Sequence, residues 1–261
     1  MGAPRVLVTG AAGYIGSQLV AALAADTARK PAALVAMDVR VVPPEGRRSG
    51  VAYETADIRA PEQTAMLQRH AIDTVVHLAS IVTPGRNSTR EFEYSVDVLG
   101  TENLLKACIA APVKKIIVSS SGAAYGYHVD NPDWISEDAP VRGNQEFAYS
   151  WHKRLVEEML ADYRVRQPQL QQVVFRIGTI LGETVRNQIT DLFDQPRLIA
   201  IQGCDSPFVF IWDQDVVGCM LEAVYSDKAG VYNVAGDGAL GIHEIAARLG
   251  KRCVVLPAWL L

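Results

Sequence analysis

The sequence predicts an α/β protein: a doubly wound parallel sheet, helices on both faces, and a small C-terminal cap. Three observations carry this reading. Short β-branched runs alternate with helical patterns through most of the chain. Several of those runs are apolar throughout, as strands buried on both faces of a parallel sheet must be. The alternation then fades in the last third, where turns and short helices take over. The 261 residues, 49% hydrophobic and 21% charged, are enough for one sizeable core.

The strand candidates are, in order, Arg5–Thr9, Ala33–Asp38, Val51–Thr55, Thr74–Leu78, Lys115–Ser120, Gln171–Arg176 and Gly230–Ala235. The clearest helical patterns lie between them, at Ile15–Ala25, Pro61–Arg69, Phe92–Ala110 and Tyr149–Arg166. Residues from about Leu181 to Ser206 and from Asp237 onward have little strand signal and read as the cap. A last apparent strand, Cys253–Leu256, lies close to the end of the sequence. The expected division is a sheet domain over 1–180, to which 207–235 returns, and a substrate-binding cap made of 181–206 and 236–261.

Composition narrows the function classes. The net charge is −4 and no run of Lys or Arg occurs, which argues against a nucleic-acid partner. Cys108, Cys204, Cys219 and Cys253 are scattered, without CxxC or ligand spacing, so they read as reduced thiols and no metal site is expected. Met1 leads into a strand within a few residues, leaving no room for a signal peptide. The apolar stretch Leu19–Ala25 is far shorter than the ~20 residues that cross a bilayer. A soluble, cytoplasmic protein with no membrane partner is expected.

The first strand runs into Thr9-Gly10-Ala11-Ala12-Gly13-Tyr14-Ile15-Gly16. In this strand-to-helix position Gly10 permits the tight turn, Gly13 lets the backbone approach a pyrophosphate, and Gly16 allows close packing. Amides at the helix start, from Tyr14 and Ile15 onward, supply donors and partial positive charge to the phosphates. The fold is therefore expected to be Rossmann-like, with a dinucleotide at this turn. Asp38 ends the second strand, where a carboxylate accepts ribose hydroxyls and repels a 2′-phosphate, which favours NAD over NADP. Arg40, two positions on, is the residue that could instead neutralise such a phosphate. Asp57 and Ile58, after the third strand, suit an adenine edge.

Tyr149 and Lys153 stand at i and i+4 where a helix opens, so they share one face. Lowering a phenol's pKa from about 10 by ~3 units needs ~4 kcal/mol, which a close ammonium in a desolvated site supplies. The fifth strand ends Ser119-Ser120-Ser121-Gly122-Ala123-Ala124-Tyr125-Gly126, and any of these serines could hold a substrate oxygen there.

With those residues the sequence resembles the extended short-chain dehydrogenases/reductases, the NAD-dependent epimerase/dehydratase family. The matching segments are TGAAGYIG (Thr9–Gly16), Asp38, Asp57, HLAS (His77–Ser80), DVLGTEN (Asp97–Asn103), SSSGAAYG (Ser119–Gly126), YSWHK (Tyr149–Lys153) and FRIGTILG (Phe175–Gly182). They run in family order, with weaker matches at Phe208–Val216 and Tyr232–Ala235. The resemblance implies that Ser121 is the catalytic hydroxyl, Tyr149 the acid/base, and Lys153 the residue that binds the nicotinamide ribose and tunes Tyr149. It implies that Leu78, Ala79, Ser80, Ser119, Ile177 and Gly178 line the cofactor. Ser80, Ser121, Ala123, Thr179 and Phe208 are then expected at the substrate. A homodimer is implied too, through the helices at Phe92–Ala110 and Tyr149–Arg166, with Trp151, Leu155 and Met159 as a contact face.

The departures bear on the substrate. Gly122 and Ala123 stand where the sugar dehydratases carry an Asp-Glu pair, so dehydration is disfavoured. Thr179 stands where sugar-nucleotide enzymes usually have Asn, and Asp97 where Asn is usual. Phe208 aligns with the Arg that clamps a diphosphate, and Phe offers nothing equivalent to that bidentate pair. Arg186 and Arg197 are the candidates to compensate. With Phe208, Phe210, Trp212 and Trp134 near one another in sequence, a less charged, more apolar substrate is expected. The expected activity is NAD-dependent oxidation or epimerisation, by hydride transfer at a secondary alcohol carbon. A nucleotide-sugar 4-epimerase is the alternative within the family, and a non-catalytic NAD(H) sensor the alternative outside it. Extended members generally continue further, so the chain is expected to be either a short member or a truncated one.

Overall fold

In a computed structural model the protein is described over residues 2–111, 113–205 and 207–260. Met1, Ser206 and Leu261, at the expected domain limits, lie outside the described residues. Seven parallel strands form one sheet in the order β10-β6-β5-β4-β1-β2-β3. These are β1 (Arg5–Thr9), β2 (Ala33–Asp38), β3 (Ala52–Thr55), β4 (Thr74–His77), β5 (Lys115–Ser121), β6 (Gln171–Ile177) and β10 (Gly230–Val234). Each falls within a residue or two of its sequence candidate. Strand order reverses between β1 and β4, and the crevice beyond their carboxyl ends is where open α/β sheets bind ligands.

The helices bury one stripe each. On one face α1 (Tyr14–Ala25) and α7 (Asp213–Tyr225) pack through Leu19, Val20, Leu23, Val216, Met220 and Val224 onto Val6, Val8 and Val173. On the other, α2 (Gln63–Arg69), α4 (Gly100–Ala110) and α5 (Ala148–Arg166) pack through Leu67, Leu104, Cys108, Val156 and Leu160 onto Leu7, Val75 and Ile116. Both faces of the central strands are thus dry, which is why their sequences read as unbroken apolar runs.

Two expectations need correction. The single helix over Phe92–Ala110 is instead α3 (Arg90–Tyr94), a π-helical turn (Ser95–Leu99) and α4. The wider turn sends Asp97 inward, where its carboxylate accepts the Ile81 N–H at 2.8 Å. It also seats Gly100 against Ile58, so closely that a Cβ there would lie 2.5 Å from Ile58 Cγ2. The cap segments, moreover, hold strands besides the one expected at Cys253–Leu256. Beside the helices α6 (Gln188–Asp194) and α8 (Ile242–Arg248), β8 (Arg197–Ile201) pairs in parallel with β11 (Arg252–Leu256). A second pair joins β7 (Thr179–Leu181) to β9 (Phe210–Trp212) at the base of the cap. Leu198 and Ala200 of β8 are buried while their neighbours face water, yet Arg-Leu-Ile-Ala-Ile does not alternate in polarity. The strand pattern is therefore invisible in composition.

Candidate functional site

The glycine turn sits at the switch point and its shape leaves no room for side chains. Gly10 has φ +68, and a Cβ on it would lie 2.7 Å from the Ala79 nitrogen and 2.8 Å from the Leu78 carbonyl carbon. A Cβ on Gly16 would lie 2.2 Å from the Gly10 oxygen. Gly13 caps α1 with no side-chain hydrogen bond. Bare backbone at a helix N-terminus, with its amides and dipole, suits an anionic phosphate. Tyr14 instead reaches sideways: its hydroxyl donates to Asp213 Oδ2 at 2.6 Å, tying α1 to α7. Burial and that carboxylate hold its phenol above the usual pKa.

Asp38 is held at the end of β2 by the Ala12 N–H at 2.9 Å and the Arg40 N–H at 2.9 Å. Arg40 Nε lies 3.2 Å from the same carboxylate, its own side chain mostly exposed. Burial alone would raise the Asp38 carboxyl, but the Arg40 side chain, the Arg40 amide and the Ala12 amide together hold it below the usual range. Asp57 is engaged by Arg59 at 2.6 Å, and those bonds lower its carboxyl. Ile58 is 3% exposed, its side chain turned into the core beside Gly100.

The serines at the end of β5 are sorted by strand alternation. Ser119 and Ser121 are half-buried, whereas Ser120 is buried, its hydroxyl donating to Glu157 of α5 at 2.5 Å. Glu157 in turn pairs with Arg176 at 2.6 Å, and Arg176 donates to the Tyr125 hydroxyl at 2.8 Å. Ser120 is therefore spoken for. Ser121 Oγ accepts the Ala123 N–H at 3.2 Å and caps the short 3-10 turn Gly122–Tyr125. That turn is anchored to α5, because the Ser150 hydroxyl donates to the Ala123 carbonyl at 2.6 Å. Ala123 is itself buried, so what it contributes is backbone.

The first turn of α5 presents Tyr149, and one turn on Lys153 lies with Nζ 5.5 Å from the Tyr149 ring centre. Lys153 is 7% exposed and donates to the Ser119 carbonyl at 2.9 Å. Tyr149 and Lys153 thus sit together at the start of α5, with Lys153 bonded to the strand that ends in Ser121. Such a set can accept and return a proton at a substrate hydroxyl.

Beneath them His77 spans the switch point. Its Nδ1 lies 2.8 Å from Thr9 Oγ1 and its Nε2 2.9 Å from Thr101 Oγ1, joining β1, β4 and α4. Burial first, and the Lys153 charge second, push its pKa down to about 3. It is a neutral strut. Thr9 Oγ1 also accepts from the Leu78 and Ala79 N–H groups at 3.2 and 3.3 Å, which fixes the loop expected to line the cofactor. In that loop the Ser80 hydroxyl is buried with no hydrogen-bond partner.

On the opposite wall, Ile177 is buried and the Gly178 N–H donates to the Val234 carbonyl at 2.9 Å. Thr179 begins β7 and donates its N–H to the Val209 carbonyl at 2.9 Å. Phe208 bridges to Leu240, stacks on Phe210 at 6.0 Å and meets Phe193 edge-on at 5.3 Å. Phe208, Phe210 and Trp212 line a cavity of about 430 Å³ whose charged residues are Asp215, Asp237 and Arg248. Trp134, expected with those aromatics, is 70% exposed and is not part of that lining. Arg186 is paired with Asp194 at 2.8 Å on the surface, and Arg197 sits exposed on β8 opposite Arg252. Neither compensates at Phe208. Arg248 and the buried pair Asp97–His152 escaped the sequence reading. The unusual acid at 97 was the one available signal. Among the described residues no His, Cys, Asp or Glu cluster is arranged to hold a metal.

The model of the NAD dependent epimerase/dehydratase family matches residues 6–235. An uncharacterized protein of Mycobacterium tuberculosis is 27% identical over 97% of this chain and 68% of its own length. A UDP-glucose 4-epimerase of Azospirillum brasilense is 34% identical over 69% of this chain and 50% of its own. Among solved structures, MoeE5 in complex with UDP-glucuronic acid and NAD superposes with a TM-score of 0.78 at 27% identity, covering 97% of this chain and 86% of that one.

Proposed function

The chain belongs to the NAD dependent epimerase/dehydratase family, and from that premise we propose that it oxidises and re-reduces, or simply oxidises, a secondary alcohol carbon of a substrate less charged than a sugar nucleotide. It is an enzyme of the extended short-chain type and its cofactor is NAD. The side-chain-free turn at Gly10, Gly13 and Gly16 fits the pyrophosphate, and Asp38 the adenosine ribose. Asp57 would border the adenine together with the Ile58 backbone, since the Ile58 side chain is turned into the core and not toward the ring as expected. Leu78–Ser80, Ser119, Ile177, Gly178, Tyr149 and Lys153 would enclose the nicotinamide end. When bound, NAD supplies the hydride acceptor and donor.

The rest falls to the protein. Ser121 orients the substrate hydroxyl and Tyr149 takes its proton. Lys153, fixed on the Ser119 carbonyl, places its positive charge beside the Tyr149 ring, where it assists that proton transfer. Arg40 stays on the Asp38 carboxylate, which favours NAD over NADP. In this reading residues 1–180 with 207–235 hold the cofactor, and the remaining segments hold the substrate, with Ser80, Ala123, Thr179 and Phe208 among its neighbours.

The observation that carries the substrate reading is Phe208, packed among aromatics where an Arg would hold a diphosphate. The likeness to a UDP-glucose 4-epimerase favours the second reading, a nucleotide-sugar 4-epimerase. One assay separates them: purified enzyme with NAD⁺ against UDP-sugars and against uncharged polyols and alcohols. Turnover confined to the uncharged set supports the first reading, and turnover confined to UDP-sugars supports the second. In either case Tyr149→Phe should lower kcat about 10²- to 10⁴-fold while leaving NAD⁺ binding intact. A homodimer through α4 and α5 is part of the proposal; Leu155 and Met159 are only partly covered by the core. Light scattering showing a monomer at micromolar concentration would remove it. A cytoplasmic location is likewise proposed; no helix of the described residues is long and apolar enough to cross a membrane.

A further inference from the structure

Asp97 and His152 lie together in the interior, 3% and 1% exposed, with His152 Nδ1 3.3 Å from Asp97 Oδ2. A carboxylate withdrawn from water this far costs several kcal/mol unless partners satisfy it. Its other oxygen accepts the Ile81 N–H at 2.8 Å. Its backbone carbonyl accepts the Thr101 hydroxyl at 2.5 Å, and that hydroxyl is also the partner of His77. Tyr94 meets the imidazole edge-on at 5.7 Å. The placement is not neutral for the site. His152 is the chain neighbour of Lys153, and Asp97 and Lys153 line the same water-sized cavity together with Ser80 and Ser119.

We propose that Asp97 and His152 act as one positioning unit, setting Lys153 and the loop that follows β4. The imidazole gives the buried carboxylate its second hydrogen-bond partner. The carboxylate, seated in the π-helical turn, fixes in return the ring of the residue preceding Lys153. Lys153 is thereby held at the Ser119 carbonyl, and the Ile81 bond keeps Leu78–Ser80 against the glycine turn. This rests on Lys153 binding the cofactor.

The test needs no substrate. NAD⁺ affinity is titrated by tryptophan quenching in wild type, Lys153→Met, His152→Ala, His152→Asn and the double variant Asp97→Asn/His152→Ala. His152→Ala strands the carboxylate and should weaken binding about tenfold. Asparagine places an amide N–H near the imidazole Nδ1, so His152→Asn should recover most of that loss. The double variant removes the stranded charge and should bind more tightly than His152→Ala alone. In ¹⁵N spectra, the wild-type His152 Nδ1 should carry a hydrogen-bonded proton whose resonance moves in Asp97→Asn. Unchanged affinity in His152→Ala, losses that add in the double variant, or an Nδ1 resonance indifferent to residue 97 would each overturn the pairing. If Lys153→Met binds NAD⁺ like wild type, the Lys153 assignment itself fails. If only Lys153→Met loses affinity, the assignment stands and the pair alone is refuted.

Discussion

The centre of the sheet and the cap obey different constraints. In β1 and β4 almost every side chain is withdrawn from water, whereas in β8 every second residue is exposed. The glycines differ likewise. Gly16 is pressed onto the Gly10 carbonyl, while Gly203, at the end of the cap strand, has nothing within 4 Å of where a Cβ would stand. Two packed faces constrain every side chain of a strand, whereas one packed face constrains only every second one. The central strands are therefore tightly specified, and the proposed cap is the part left freer to vary.

The largest test of that contrast is a pair of glycine substitutions. Gly16→Ala should cost about 4 kcal/mol or more and abolish NAD⁺ binding, because backbone must move. Gly203→Ala, with φ +78 but open space, should cost about 1 kcal/mol. Urea denaturation of both measures the difference; equal costs would erase the contrast.

The next effect is pH dependence at the switch point. His77 has a native pKa of about 3 against 6.5 in a free side chain. Between those values the unfolded chain binds a proton that the folded one refuses, so stability falls as pH drops through that window and is fully kept above it. The term amounts to about 3 kcal/mol between pH 6.5 and roughly pH 4. His77→Asn should be less stable at neutral pH, losing a bond that joins β1 to α4, yet show an acid slope smaller by about one proton. An unchanged slope would mean that the imidazole is not buried neutral.

Most of the sheet was legible in the sequence, for the reason that makes it rigid. Unbroken apolar runs such as Val6–Val8 and Ile116–Val118 have no half-exposed alternative. The glycine turn was legible because Gly10 meets the backbone of Leu78 and Ala79, while Gly13 and Gly16 close on the backbone of Gly10. Three features were not. The helix Asp213–Tyr225 buries Val216, Val217, Met220, Ala223 and Val224 at helical spacing, but it lies in a stretch read as returning to the sheet domain without an element of its own. β8 was hidden because Ile199 and Ile201 are apolar on the exposed face, although its partner β11 was expected at Cys253–Leu256. The π-helical turn before α4 was hidden because its cause is distant: the Ile81 amide and the Ile58 side chain. Among the serines, local sequence left three alternatives open. Distant contacts distinguish them: Ser120 donates to Glu157, Ser119 to the His77 carbonyl, and Ser121 caps the turn at Ala123.

The smallest expected effect sharpens the cap side of the comparison. Phe208→Arg should raise affinity for UDP-glucose about tenfold if the missing charge at this position limits diphosphate binding. It should also cost about 1–3 kcal/mol of stability, since the ring packs between Phe193 and Phe210. Calorimetric titration reads the affinity, and no gain would place substrate selection elsewhere in the cap.

The most direct test of the central claim, NAD bound across the switch point with Asp38 as selector, is one titration. NAD⁺ and NADP⁺ are compared on wild type and on Asp38→Ala. Saturable binding with a clear NAD⁺ preference is expected, with loss of that preference in the variant. No saturable binding of either dinucleotide, or equal affinities in the wild type, would contradict it.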